Sequence, residues 1–122
     1  MKSVLVVDDE PGIGSLVALC LDHLDVDVVM ANDKANALQA ARAHDVGLVL
    51  LDLALGNEDG LGILPDLRNE PSLAGVAIVA FTAHDSRRQE AFDQGVDAFL
   101  KRPFSSVDLS STVETHLVIP PA

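Results

Sequence analysis

Five short apolar runs punctuate the chain: SVLVV at 3–7, VDVVM at 26–30, VGLVLL at 46–51, VAIVAF at 76–81 and DAFL at 97–100. They are mostly β-branched or aliphatic and bounded by polar residues, as strands buried on both faces are. Longer segments of helical character lie between them. GIGSLVALCLDHL places Ile13, Leu16, Val17, Cys20 and Leu24 on one helical stripe. KANALQAARAH is alanine-rich and favours a helix. Segments from Leu61, from about Ser86 and from about Ser106 complete the alternation. Strand and helix in turn predict an α/β domain, with a parallel sheet covered on both faces.

Two helices read less plainly. Pro65 falls inside GLGILPDLRNE, so this helix either begins late, with Pro65 in its first turn, or is kinked. SSVDLSSTVETHLV is rich in Ser, Thr and Val and has weak intrinsic propensity. The closing IPPA cannot continue a helix. It reads as a tail or linker root at 119–122, after a single domain at 1–118.

The carboxylates sit at the strand ends. The first strand runs into Asp8 and Asp9, and the third ends in Asp52. In an open α/β sheet, ligands bind beyond the carboxyl ends of the strands, where strand order reverses. If the first and third strands are neighbours there, the three acids converge. Two carboxylates about 4 Å apart repel by roughly 4 kcal/mol at an effective dielectric near 20. A hard divalent cation removes that cost, and carboxylate and water ligands suit Mg²⁺. A lone Asp after a strand is commonly a helix cap; a pair and a third acid at matching strand ends need more than capping. Thr82 ends the fourth strand, where its hydroxyl can cap a helix or donate to an anion. Lys101 or Arg102 supplies a cation at the fifth. Acids, hydroxyl and cation together suit a metal-bound phosphoryl group carried on one of the acids.

Composition narrows the classes. A chain of 122 residues, 48% hydrophobic, is long enough to bury the core of one globular domain. With 8 Lys+Arg against 19 Asp+Glu the net charge is −11, and the basic residues are scattered, so direct binding to nucleic acid or an anionic membrane is not expected. Cys20 is the sole cysteine, which excludes an internal disulfide and fits a reducing compartment; its helical spacing marks it as a core residue. The first apolar run is too short for a signal peptide or membrane span, so a cytoplasmic location is expected.

These residues resemble those of a response-regulator receiver domain, the phosphoacceptor module of two-component signalling. Asp8–Asp9, Asp52 in LLDLALGNEDG, Thr82 in FTA, and FLKRPF occur in that family's order and spacing, over essentially the whole chain. The resemblance implies a flavodoxin-like (βα)5 three-layer sandwich, with a five-stranded parallel sheet in the order 2-1-3-4-5. It implies that Asp52 accepts a phosphoryl group from phosphohistidine on a sensor histidine kinase or phosphotransfer protein, or from a small acyl phosphate. Asp8, Asp9, Asp52 and the backbone carbonyl of Ala54 would hold Mg²⁺ or Mn²⁺. Thr82 would bond a phosphate oxygen, and Phe99 would turn inward as Thr82 moves, altering the face made by the fourth helix, fifth strand and fifth helix. That face would serve output contacts or a self-dimer. Asp59–Gly60 matches the acid-glycine turn after the acceptor loop, where aspartate caps and glycine gives backbone freedom.

Several positions depart from the family pattern. Its lysine stands immediately before the proline, a place held here by Arg102, with Lys101 one residue early. Period two sets Lys101 on the Phe99 side and Arg102 opposite, so Arg102 is expected to face the phosphate; a bulge or a cis peptide near Pro103 would instead bring Lys101 in. Gly56 replaces a common proline, and Ala54 and His84 occupy positions where the family tunes acyl-phosphate lifetime. His23, His44 and His116 fall late in helical segments and read as solvated.

Other function classes fit less well. A degenerate receiver that binds partners without phosphorylation is motivated by Arg102, but the intact Asp8, Asp9, Asp52 and Thr82 oppose it. A haloacid-dehalogenase-type phosphatase wants an acid two residues after the nucleophile, where Ala54 stands. A flavodoxin-like redox carrier would present amides and hydroxyls, not DDEPG, in its first loop. The expectation is a switch that assists only its own phosphorylation and dephosphorylation, not an enzyme acting on an external substrate.

Overall fold

Alternation along the strands sorts the core onto two faces of one sheet. A computed structural model describes residues 2–55, 58–82, 87–101 and 104–117. Its main sheet holds β1 (Lys2–Val7), β2 (Val26–Ala31), β3 (Val46–Asp52), β4 (Ala77–Thr82) and β5 (Ala98–Lys101), all parallel, in the order β2-β1-β3-β4-β5. The helices are α1 (Ile13–Cys20), α2 (Lys34–Ala43), α3 (Gly60–Asn69), α4 (Arg88–Asp93) and α5 (Ser106–His116). Val4 and Val6 of β1, Leu48 and Leu50 of β3, and Val79 and Phe81 of β4 join Ile13 and Val17 of α1 and Leu109 and Val113 of α5. Their neighbours Leu5, Val7, Val49, Leu51, Ile78 and Ala80 join Ala37, Ala41, Leu64, Leu67 and Ala91 of α2, α3 and α4. The period of two along a strand makes this division. The result is the expected three-layer α/β sandwich with the expected strand order.

Every residue of the central strand β3 is buried. At one edge, β2 is more open: Val26, Val28 and Val29 are half-buried, while Asp27 and Met30 are exposed. The weak sequence of α5 is supported by its cap, since the Ser105 side chain accepts from the Asp108 N–H at 3.0 Å. Asp33 caps α2 in the same way, accepting from Asn36 at 2.8 Å. Gly95, at φ +104°, takes the chain out of the turn after α4 through the left-handed region.

One guanidinium ties α3 to the far half of the sheet. Arg68 donates to the carbonyls of Val76 and Gly95 and to Asp97 at 2.9 Å, and Asp97 also accepts from the Ile78 N–H. Burial pushes the Asp97 carboxyl up, but Arg68 and the Ile78 amide outweigh it, so the net direction is below the usual carboxylate range. Arg42 of α2 likewise bonds Glu70 beyond α3, at 2.7 Å.

Three readings from the sequence are sharpened by the structure. First, Leu16 is 48% exposed and α1 ends at Cys20, so the buried stripe is Ile13, Val17 and then Leu21, with Leu24 half-buried against the same cluster and Leu16 left out of it. Gly14 also turns inward, with Met30 filling the place a side chain would take, and this rotation sends Leu16 outward. Cys20 is half-buried against the same cluster. Second, of the two readings of α3 the late start is excluded: it starts at Gly60 and carries Pro65 within it, forfeiting one N–H of the helical ladder. Third, His23 is exposed as expected but lies beyond α1 rather than late within it, and it bonds Ser110 of α5 at 2.8 Å. The tail at 119–122 lies outside the described residues.

Truncation should separate the two kinds of leucine. Leu50→Ala, at a side chain 1% exposed, is expected to cost about 2–5 kcal/mol in chemical denaturation. Leu19→Ala, 75% exposed on α1, should change stability by no more than about 0.5 kcal/mol.

Candidate functional site

The two inner strands β1 and β3 lie side by side and deliver their terminal acids to one place. Asp8 follows β1 directly, and its N–H extends the pairing with β2 by donating to the Ala31 carbonyl at 2.9 Å. Asp52 is the last residue of β3. Carboxylate oxygens of Asp8, Asp9 and Asp52 all lie within 4.8 Å of one another. Asp8 is 1% exposed and Asp52 6%, whereas Asp9 is open to solvent.

Local backbone geometry orients two of these groups. Asp8 Oδ1 accepts from the Glu10 N–H at 2.9 Å, and Asp52 Oδ1 from the Ala54 N–H at 3.0 Å. Each is an aspartate bonding the amide two residues on, the turn that Asp favours. One oxygen of each carboxylate is thereby fixed. Like charges so close repel by roughly 3–4 kcal/mol per pair at an effective dielectric near 20. A cluster of oxygen donors alone, two of them buried, fits a hard divalent cation and not a soft metal.

The other residues singled out in the sequence divide by their place in the fold. Thr82 ends β4, is 3% exposed, and pairs in register with Lys101 of β5. Lys101 is exposed, and Phe99, two residues earlier, is half-buried against the cluster beneath α2, α3 and α4. Leu100 belongs to the opposite cluster, so the alternation read from FLKRPF runs through β5. Arg102, His84 and Gly56 lie outside the described residues. Ala54 is exposed and pairs with Asp59 in a two-residue antiparallel ladder, Ala54–Leu55 against Glu58–Asp59.

Asp59 and Gly60 do more than make a turn. Asp59 caps α3, accepting from the Leu61 N–H at 3.1 Å. It also receives a bidentate guanidinium: Arg87 Nη1 at 2.8 Å and Nη2 at 3.1 Å. That bond, helped by the Leu61 amide, holds the Asp59 carboxyl below the usual carboxylate range against a smaller opposing effect of burial. Gly60 is not in the left-handed region. Its need for no side chain is close approach, because a Cβ there would collide with the Asp52 carbonyl and sit 2.6 Å from Leu53 Cα. This corrects the expectation of backbone freedom. Arg87 itself escaped the sequence reading, since an ion pair spanning so much of the chain leaves no local pattern.

Comparison with known proteins agrees with this geometry. The chain matches the family model of the response regulator receiver domain over residues 4–114. It is similar to the transcriptional regulatory protein KdpE of Mycobacterium tuberculosis, 35% identical over 85% of this chain and 46% of that protein. It is also similar to the alkaline phosphatase synthesis transcriptional regulatory protein PhoP of Bacillus subtilis, 28% identical over 95% of this chain and 48% of that protein. The chain thus spans about half the length of the curated relatives it matches. Among solved structures it superposes on the chemotaxis response regulator CheY4 of Vibrio cholerae with a TM-score of 0.83, at 25% identity, over 96% of this chain and 99% of that one. The receiver domain of a Pseudomonas aeruginosa sensor histidine kinase, solved with a magnesium ion coordinated in its active-site cleft, shares the fold with a TM-score of 0.81, at 23% identity, over 94% of this chain and 96% of that one. Among the described residues, no helix is long and apolar enough to cross a membrane.

Two outcomes test this geometry. Gly60→Ala should cost about 1–3 kcal/mol, because main chain cannot yield as a side chain can, and the denaturation midpoint reports it. Asp59 has a depressed folded-state pKa, so its pair with Arg87 contributes stability above the ordinary aspartate pKa and loses it as pH falls through the lowered value. Thermal midpoints followed from pH 6 down to about 2 should therefore fall less steeply in Arg87→Gln than in wild type.

Proposed function

The chain belongs to the response regulator receiver domain family, and on that premise we propose that it is a phosphorylation-controlled switch with Asp52 as acceptor. The observation that carries this reading is the convergence of Asp8, Asp9 and Asp52 within 4.8 Å at the ends of β1 and β3. A carboxylate oxygen of Asp52 attacks phosphorus, and the bond from phosphorus to a phosphohistidine nitrogen on a sensor histidine kinase or phosphotransfer protein breaks. Its electron pair stays on the imidazole, which takes up a proton. The Ala54 amide fixes Asp52 Oδ1 and so limits the carboxylate's rotation, which favours a defined line of attack.

Asp8, Asp9, Asp52 and the Ala54 carbonyl would hold Mg²⁺ or Mn²⁺, whose charge when bound offsets that of the transferring phosphoryl group. Thr82 supplies a hydroxyl to a phosphate oxygen, and a cation from Lys101 or Arg102 completes the set. Movement of Thr82 then draws Phe99 inward and alters the face formed by α4, β5 and α5, a two-state change biased by one local charge. In this reading the protein is a cytoplasmic module, with that face open to output contacts or a second copy. It assists its own phosphorylation and dephosphorylation and turns over no external substrate. Ala54 and His84 set the acyl-phosphate lifetime.

Intact mass after incubation with Mg²⁺ and a small acyl phosphate should show one phosphoryl adduct on wild type. Asp52→Asn should show none, and chelation of the metal should abolish the wild-type adduct. Absence of any adduct on wild type, with a control receiver modified in the same tube, would turn the assignment to a phosphorylation-independent interaction module.

A further inference from the structure

Arg87 stands immediately before α4 and holds the loop that follows Asp52. Its guanidinium forks onto both oxygens of Asp59, and Nη1 also donates to the Leu53 carbonyl at 3.3 Å. That carbonyl belongs to the residue next to the acceptor and also accepts from the Gly60 N–H at 3.1 Å. Arg87 Nε bonds Glu90 of α4 at 2.9 Å, so one side chain grips the loop and the helix together. The next residue, Arg88, lies over the rings of Phe92 and Phe99, at 5.8 and 5.9 Å from their centroids. Helix α4 spans only Arg88–Asp93 and has no side-chain N-cap bond. So short a helix does not hold itself; contacts from outside it set its position.

We infer that the Arg87–Asp59 fork is a latch that holds the start of α4 to the phosphoacceptor loop in the unphosphorylated conformation and opens on switching, while Arg88 links the helix to Phe99. This inference rests on the assignment of Asp52 as acceptor and adds a restraint on that site's switch. An interaction made in one of two states biases the equilibrium toward that state. A phosphoryl group on Asp52 places new negative charge beside Leu53, which Arg87 already touches, and competes with Asp59 for the guanidinium. Displacement of Thr82, a few residues earlier in the chain, pulls against the same fork. A bidentate pair is directional and is lost on a small rotation. Both partners are partly exposed, so the bias is modest, about three- to fivefold.

The chain contains no Trp or Tyr, so Phe99→Trp provides a single fluorophore at the switch position. In that background, and without any phosphodonor, Arg87→Gln and Asp59→Asn should each move the introduced indole inward and reduce its quenching by acrylamide. The asparagine retains the helix cap while losing the charge. Because the two residues act through one contact, the double variant should go no further than either single one. With a small acyl phosphate and Mg²⁺, each single variant should gain the phosphoryl adduct about three to five times faster than its parent. A merely structural role would lower stability and slow the reaction.

Quenching unchanged by Arg87→Gln, or single effects that add in the double variant, would overturn the latch. A wild type that takes no phosphoryl group while the quenching shifts as expected would overturn the acceptor assignment and leave the coupling between Arg87 and Phe99 standing.

Discussion

Holding like charges together at the ends of two parallel strands is the constraint on which this molecule depends. It is met because β1 and β3 are neighbours while the chains leaving them diverge. After β1 the chain passes to α1 on one face; after β3 it passes to α3 on the other. The crevice between these exits is where an open α/β sheet binds its ligand. The acids remain in place because the backbone fixes them: two are oriented by the amide two residues on, and the peptide after Asp52 is closed down by Gly60. The electrostatic cost is thus borne by a rigid frame, whose buried strands resist relaxation.

The strands and the acids at their ends were legible because both are local signals. Apolar runs give period-two elements directly, and Asp8, Asp9, Asp52 and Thr82 fall where those runs stop. The alternation of Phe99 and Leu100 between two core clusters was legible for the same reason. The exposure of Leu16 on α1 was not. It depends on Gly14 facing Met30 of β2, a contact between elements that no helical period encodes. The role of Gly60 was misassigned because a glycine's sequence context does not distinguish a special dihedral from a close approach.

Arg87 illustrates the sharper limit. Two arginines at the start of a short helix look like solvated charges, and nothing nearby marks Asp59 as a partner. Only the fold, by setting β3 beside β4, brings the loop after one strand within reach of the segment after the other. The same holds for Arg68, whose bonds to Val76, Gly95 and Asp97 join parts of the chain that share no pattern. Long-range cations of this kind tie down both ends of the sheet, Arg87 at the carboxyl ends of the strands and Arg68 at the opposite end, and sequence periodicity cannot reveal them.

The open edge at β2 bears on how the protein behaves as a material. A sheet edge exposes unpaired backbone groups and can template pairing with another chain. Here that edge carries half-buried valines and the exposed Met30, with Asp27 among them as a charged guard. The guard and the overall charge of −11 keep molecules apart near neutral pH. The net charge falls away toward the isoelectric point near 4.4, and the mutual repulsion it supplies goes with it. In acidic buffer the protein's behaviour as a colloid therefore depends on what this open edge offers to other chains as well as on what the core buries.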